Sequence, residues 1–119
     1  MNTKTIGDLG EQAACKYLKK NKYKILDCNY KKTYGEIDII AKFGETVSFI
    51  EVKTRKNDKF GLPCEYVTAA KKQRLIRTAY TYIAEKQLDD NYSFDILEVY
   101  HENGKVNKIN HIKNAFEPE

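Results

Sequence analysis

Apolar residues recur along this chain with two different periods. From about Thr3 to Asn21, Ile6, Leu9, Ala13, Tyr17 and Leu18 fall at helical spacing, which places them on one face of a helix. Asn21 and the lysines at 19, 20 and 22 suit the C-terminal end of that helix. Residues 23–30, rich in aromatic and β-branched side chains, predict a strand. The period then drops to two. Ile37, Ile39 and Ala41 alternate with Glu36, Asp38 and Ile40, and Val47, Phe49, Glu51 and Lys53 alternate with Ser48, Ile50 and Val52. Gly44-Glu45 between these runs predicts a two-residue type II′ hairpin turn. Residues 55–66 read as a polar loop containing Gly61 and Pro63. Thr68 suits the N-cap of a second helix running to about Lys86, with Leu75, Ile76, Ala79, Tyr82 and Ile83 on its apolar face. Tyr92 to Tyr100 alternates again, Asn103-Gly104 is a hairpin turn, and a last strand follows near Val106–Ile112. The order helix, three strands, helix, two strands predicts a mixed α/β fold around one central sheet.

Composition narrows the picture. A chain of 119 residues fits a single domain over 1–119, and 41% hydrophobic with 32% charged residues excludes a disordered polymer. No apolar stretch approaches the roughly 18 residues of a membrane span, and residues 1–8 lack the apolar core of a secretory leader. Cys15, Cys28 and Cys64 are odd in number and form no CxxC pair. That argues against a disulfide framework or a zinc site and predicts a cytoplasmic location. The net charge of +4 is uneven: residues 1–34 carry +5, 35–66 carry −1, 67–87 carry +4 and 88–119 carry −4. Two basic segments around a carboxylate-bearing middle suit a polyanionic partner, though solvated helix faces would give the same pattern. No GxxxxGK[ST] phosphate loop is present, and Ser48 and Ser93 lie in no GxSxG elbow. His101 and His111 have no recognised ligand spacing and read as structural or surface residues.

The hairpin itself carries chemistry. A two-residue turn at 44–45 sets Asp38 opposite Glu51 and Glu36 opposite Lys53, with Ile37 facing Val52 and Ile39 facing Ile50. Opposed side chains have Cβ atoms about 4.5–5.5 Å apart. Two carboxylates at that distance repel unless one is protonated or a cation sits between them. Mg²⁺ (or Mn²⁺) is a fitting cation, because it uses oxygen ligands and few carboxylates. Lys53, two residues beyond Glu51, would stabilise negative charge beside it. The alternative is a solvated charge cluster with Lys53 as salt-bridge partner. Ile40 and Phe49 share the acidic face, which favours a cleft beneath another element.

These residues resemble a known pattern. Asp38 followed by Glu51-Val52-Lys53 resembles the PD-(D/E)xK nuclease motif. More fully, the chain resembles the YraN-type family of small bacterial proteins, which look like archaeal Holliday junction resolvases with a restriction-endonuclease-like fold. The resemblance runs from about Gly7 to Tyr100. It rests on Gly7-x-x-Gly10-Glu11-x-x-Ala14-x-x-Tyr17-Leu18, Asn29-Tyr30, Gly35-Glu36-Ile37-Asp38-Ile39-Ile40-Ala41 and Phe49-Ile50-Glu51-Val52-Lys53-Thr54-Arg55. Val67-Thr68-x-x-Lys71 and Phe94-Asp95-Ile96 follow in order. Lys31 and Ser93 depart from it, standing where the family tends to carry arginine.

The resemblance implies Asp38 and Glu51 as metal ligands, Lys53 as the catalytic lysine and Glu11 as a further acid from the first helix. The implied activity is metal-dependent hydrolysis of DNA phosphodiesters, including branched or junction DNA, by a homodimer. The competing reading is a non-catalytic nucleic-acid-binding module on the same fold. Lys31, Lys32, Arg55, Lys71 and Arg74 are the expected phosphate contacts, while Lys56 and Lys72 read as ordinary surface charge. Tyr17, Tyr82 and Tyr92 fit core positions; Tyr34 and Tyr66 lie nearer the expected site.

Overall fold

Seven elements follow one another as α1 (Thr3–Lys20), β1 (Lys24–Lys32), β2 (Gly35–Phe43), β3 (Thr46–Lys56), α2 (Ala69–Lys86), β4 (Asn91–Glu102) and β5 (Lys105–Phe116). They are seen in a computed structural model that describes residues 3–56 and 68–118. The predicted order holds; β2 to β5 run a little beyond their predicted ends, and β1 is shifted toward its C-terminal end. Most of the expected loop, with Gly61, Pro63, Cys64 and Tyr66, lies outside the described residues.

The turns and caps follow from local chemistry. Gly44 takes φ 59° and closes the β2–β3 hairpin; Asn103 and Gly104, at φ 52° and 78°, close β4–β5. Such left-handed residues match the twist of the flanking strands. Thr68 caps α2, its hydroxyl accepting from the Lys71 N–H at 3.2 Å. That hydrogen bond satisfies one of the helix's orphan donors. Gln87, in the left-handed region, ends the helix.

The strands form one sheet in the order β1-β2-β3-β4-β5. Neighbours run antiparallel except β3 and β4, which are parallel and joined through α2. A parallel pair needs such a crossover. The helices sit on opposite faces. Ala14 and Leu18 of α1 pack with Ile39, Ala41, Ile50, Leu97 and Val99. Leu75, Ala79 and Tyr82 of α2 pack with Ile37, Ile40, Val47, Phe49, Phe94 and Ile96. Strands covered on both faces lose the simple inside–outside alternation, so β4 is buried from Ser93 to His101. Full burial of a side chain such as Ile39 or Leu97, each 0% exposed, contributes about 1.5–3 kcal/mol.

The hairpin register agrees with the turn-based expectation as far as it extends: Phe43 faces Thr46, Ile40 faces Phe49 and Ile39 faces Ile50. There the ladder stops. Asp38 does not pair across to Glu51 through its backbone; its Oδ2 accepts the Val52 N–H at 2.8 Å. Likewise Glu36 pairs with Lys31 of β1 and not with Lys53. Beyond this point β2 changes face. Ile37 packs in the α2 cluster while Ile39 packs in the α1 cluster, although the sequence puts them on one side. Asn29, opposite this step on β1, takes φ 53°. The carboxylate of Asp38 thus replaces a ladder hydrogen bond at the residue where the strand turns over.

Candidate functional site

Two strands bring the acids together beneath α2. Asp38 on β2 and Glu51 on β3 line one cavity of about 250 Å³, closed on its far side by Lys71 and Arg74 of α2 and bordered by Gly35. The cleft beneath a helix, suggested by Ile40 and Phe49, is therefore present. Gly35 makes the close approach possible: a Cβ there would collide with Thr78 Oγ1 and stand 3.0 Å from the Arg74 carbonyl.

Electrostatics in this cavity are unusual for a surface cleft. Burial, then the Glu51 charge, pushes Asp38 up to about 7, against the lowering effect of the Val52 hydrogen bond; Glu11 and Glu36 add smaller increments. Glu51 is 8% exposed. Its Oε1 lies 2.7 Å from Lys71 Nζ and 3.9 Å from Lys53 Nζ. Burial pushes the Lys71 ammonium down, but the Glu51 carboxylate more than offsets this and leaves it raised. The sequence marks Lys71 as a phosphate contact; here it is also the close counter-charge of Glu51.

Glu11 approaches from α1. Burial raises its carboxyl, opposed by a hydrogen bond with Asn29 and reinforced by Asp8 and Glu36. Gly10 permits this placement, because a Cβ at that position would collide with Thr54 Oγ1 of β3. Gly10→Ala is expected to destabilise the fold by about 1–2 kcal/mol, the overpacking cost less the gain in helix propensity. Thr54→Ala in the same chain should recover most of that loss in thermal unfolding; an additive double mutant would mean that the two positions do not meet. Among the described residues, no cluster of three or more His, Cys, Asp or Glu stands close enough to hold a metal. Asp38 and Glu51 share the cavity as a pair, and the Glu11 charge on α1 reaches Asp38 from outside that cavity lining.

The expected phosphate contacts divide. Lys31 and Arg74 are exposed. Lys32 is held by Glu85 of α2 at 2.8 Å, its ammonium also standing 5.2 Å from the Tyr30 ring centre. Arg55 turns its Nε to Glu98 at 2.9 Å, and Asn110 Nδ2 reaches the other oxygen of that 1%-exposed carboxylate at 2.9 Å. Arg55 and Lys32 therefore belong to local ion pairs. Tyr34 packs its ring under Arg77, 3.9 Å from the guanidinium carbon, and bonds Thr81 through its hydroxyl. Of the tyrosines expected in the core, Tyr82 is buried, whereas Tyr17 and Tyr92 are half-buried.

Both histidines pack into the sheet. His101 is buried on β4. His111 Nε2 lies 2.8 Å from Asp95 Oδ2, the two side chains being 3% and 1% exposed. Asp95 also accepts from Ser93 Oγ and from the Asn114 N–H at 3.1 Å. Burial raises the Asp95 carboxyl, but these partners more than reverse that and leave it lowered. Ser93, the departure from the family pattern, is thus part of a buried polar network away from the acidic cavity. No helix among the described residues is long and apolar enough to cross a membrane.

The site residues fall within a stretch shared by many bacterial proteins. A model of the uncharacterised protein family UPF0102 matches residues 10–99, which include Glu11, Asp38, Glu51, Lys53 and Lys71. A UPF0102 protein of Alkaliphilus metalliredigens is 46% identical over 115 residues, covering 96% of this chain and 99% of the relative. One from Clostridium beijerinckii is 49% identical over 115 residues, covering 95% and 94%. One from Clostridioides difficile is 46% identical over 117 residues, covering 98% and 100%. With a family model spanning most of its length and relatives matching from end to end, the chain belongs to the UPF0102 family, the YraN-type proteins.

Proposed function

We propose that this protein is a metal-dependent endonuclease that hydrolyses phosphodiester bonds in DNA, with branched or junction DNA as its candidate substrate. The observation that carries this reading is the pair Asp38 and Glu51 lining one cavity with Lys71. A carboxyl pushed up to about 7 by burial and a neighbouring acid is one that a cation would hold ionised. A nucleic-acid-binding module that lacked catalysis would gain nothing from acids set against its own polyanion. The PD-(D/E)xK resemblance of the same residues supports the same conclusion.

The donor set fits Mg²⁺ or Mn²⁺, which take one or two carboxylates and complete their shell with water. Asp38 and Glu51 would hold the ion. When bound, it would polarise a phosphate oxygen and acidify a coordinated water. Lys53 would meet negative charge developing on the phosphate. Glu11 would hydrogen-bond a metal-bound water or complete a second metal site from α1. Lys31 and Arg74, both exposed, would grip backbone phosphates, so affinity should fall as salt rises. The reading carries a cytoplasmic location and a homodimer, since symmetrical cutting of two strands needs two such sites.

The test is a cleavage panel with branched, duplex and single-stranded DNA in Mg²⁺, Mn²⁺ and EDTA. Divalent-dependent product from any DNA supports the nuclease. Salt-sensitive binding without cleavage on all substrates would leave the binding module as the function.

A further inference from the structure

Resting on the metal-site reading above, we propose that Lys71 is an internal counter-cation that a divalent ion must displace from Glu51, and that the displaced ammonium then serves the DNA phosphate. The cavity contains a choice that its residues cannot satisfy twice. Glu51 is 8% exposed, and its Oε1 is engaged by Lys71 Nζ at 2.7 Å. A cation bound between Asp38 and Glu51 would repel that ammonium at this distance.

The positions of the two lysines differ in what they permit. Lys53 stands on β3 beside Glu51 and 3.9 Å from the same oxygen, with 24% of its side chain exposed. Lys71 comes from the first turn of α2, and its side chain is 40% exposed. The backbone of Lys71 is fixed by the Thr68 cap, while the flexible four-carbon stem can swing. Its ammonium can leave Glu51 without moving the helix. Arg74, one turn along on the same cavity wall, is exposed to solvent. An ammonium moved toward that side joins a cationic rim suited to a phosphate diester.

The consequence is linkage. If Lys71 and the metal compete, metal binding frees a cation for DNA, and each ligand strengthens the other by the same factor. Without Lys71, the metal should bind more tightly and the coupling should shrink.

The experiment is calorimetric titration of Mn²⁺ into the wild-type protein, Lys71→Met and Lys71→Gln, each checked for folding by circular dichroism. The expected result is about tenfold tighter Mn²⁺ binding in both variants, a change that corresponds to about 1.4 kcal/mol. A parallel DNA-binding series without and with Ca²⁺ should show metal-enhanced affinity in the wild type and little enhancement in the variants. Mn²⁺ binding that is equal or weaker in the folded variants would overturn the competition while leaving the metal site standing. If neither the wild type nor the variants bind Mn²⁺ at millimolar concentration, the metal reading fails, and the inference fails with it.

Discussion

Asp38→Asn is expected to lower metal-dependent DNA cleavage by at least about a hundredfold, since it removes a metal-holding charge from a site where such electrostatics supply most of the rate. The same substitution should make the metal-free protein more stable at pH 8. The folded-state carboxyl lies near 7, above its ordinary 3.8. Between those values the folded state retains a proton that the unfolded chain has released. Stability contributed by this group is therefore fully present below about pH 3.8, declines as pH rises to about 7, and is absent above that. A tenfold change in a proton-binding constant corresponds to about 1.36 kcal/mol. Asparagine, which keeps the acceptor for the Val52 N–H, should therefore stabilise the apoprotein by about 2–4 kcal/mol at pH 8. Urea unfolding at pH 4 and pH 8 with EDTA measures this. Full cleavage by the variant would remove Asp38 from the metal site. If the stability advantage of Asp38→Asn over the wild type did not widen from pH 4 to pH 8, Asp38 would lose its buried-acid character.

His111→Ala should cost about 3 kcal/mol or more, because it leaves a buried carboxylate without its imidazole hydrogen-bond partner. Against a total stability of roughly 5–15 kcal/mol for a domain of this kind, that is a large fraction. Asp95, 1% exposed, would keep Ser93 and the Asn114 N–H as its partners among the described residues. The pH signature is opposite to that of Asp38. A carboxyl lowered in the folded state contributes stability above its unfolded pKa, and the contribution disappears as pH falls through the folded value. The wild-type protein should therefore lose this part of its stability below about pH 4, and His111→Ala should flatten the acid limb. Metal-dependent cleavage by a folded His111→Ala protein should match the wild type. A loss of less than about 1 kcal/mol would mean that Asp95 finds water or another donor.

The sequence reveals much of this molecule where one local rule dominates. Gly44, Asn103-Gly104 and Thr68 each fix a turn or cap through two or three residues, and all three perform those roles here. The hairpin register follows from the turn at Gly44 and holds as far as Ile39 and Ile50. What the sequence conceals arises where a side chain takes over a backbone role or where tertiary packing chooses a partner. Strict alternation cannot reveal that Asp38 caps the Val52 N–H and that Ile37 and Ile39 thereby enter different cores. Helical periodicity finds the buried stripe of α2 but not the strand beneath its first turn, so Lys71 reads as a phosphate contact and not as the partner of Glu51. Arg55 and Glu98 lie 43 residues apart and meet only because β3 and β4 are parallel neighbours. Asp95 and His111 face each other beside a bulge in the β4–β5 ladder, an irregularity with no signature in hydrophobic spacing.

The two outer strands bear on how copies of this protein can meet. Among the described residues, β1 and β5 each have a neighbour on one side only, and an open strand edge invites another chain to add on. Here β1 carries Lys24, Lys31 and Lys32, and β5 carries Lys105, Lys108 and Lys113. Both ladders are also interrupted by bulges, one near Leu26 and two along β4–β5. Lysine-studded, irregular edges discourage strand addition. Among the described residues the sheet stops at five strands, and edges of this kind favour a homodimer joined through helices or loops over one that continues the sheet.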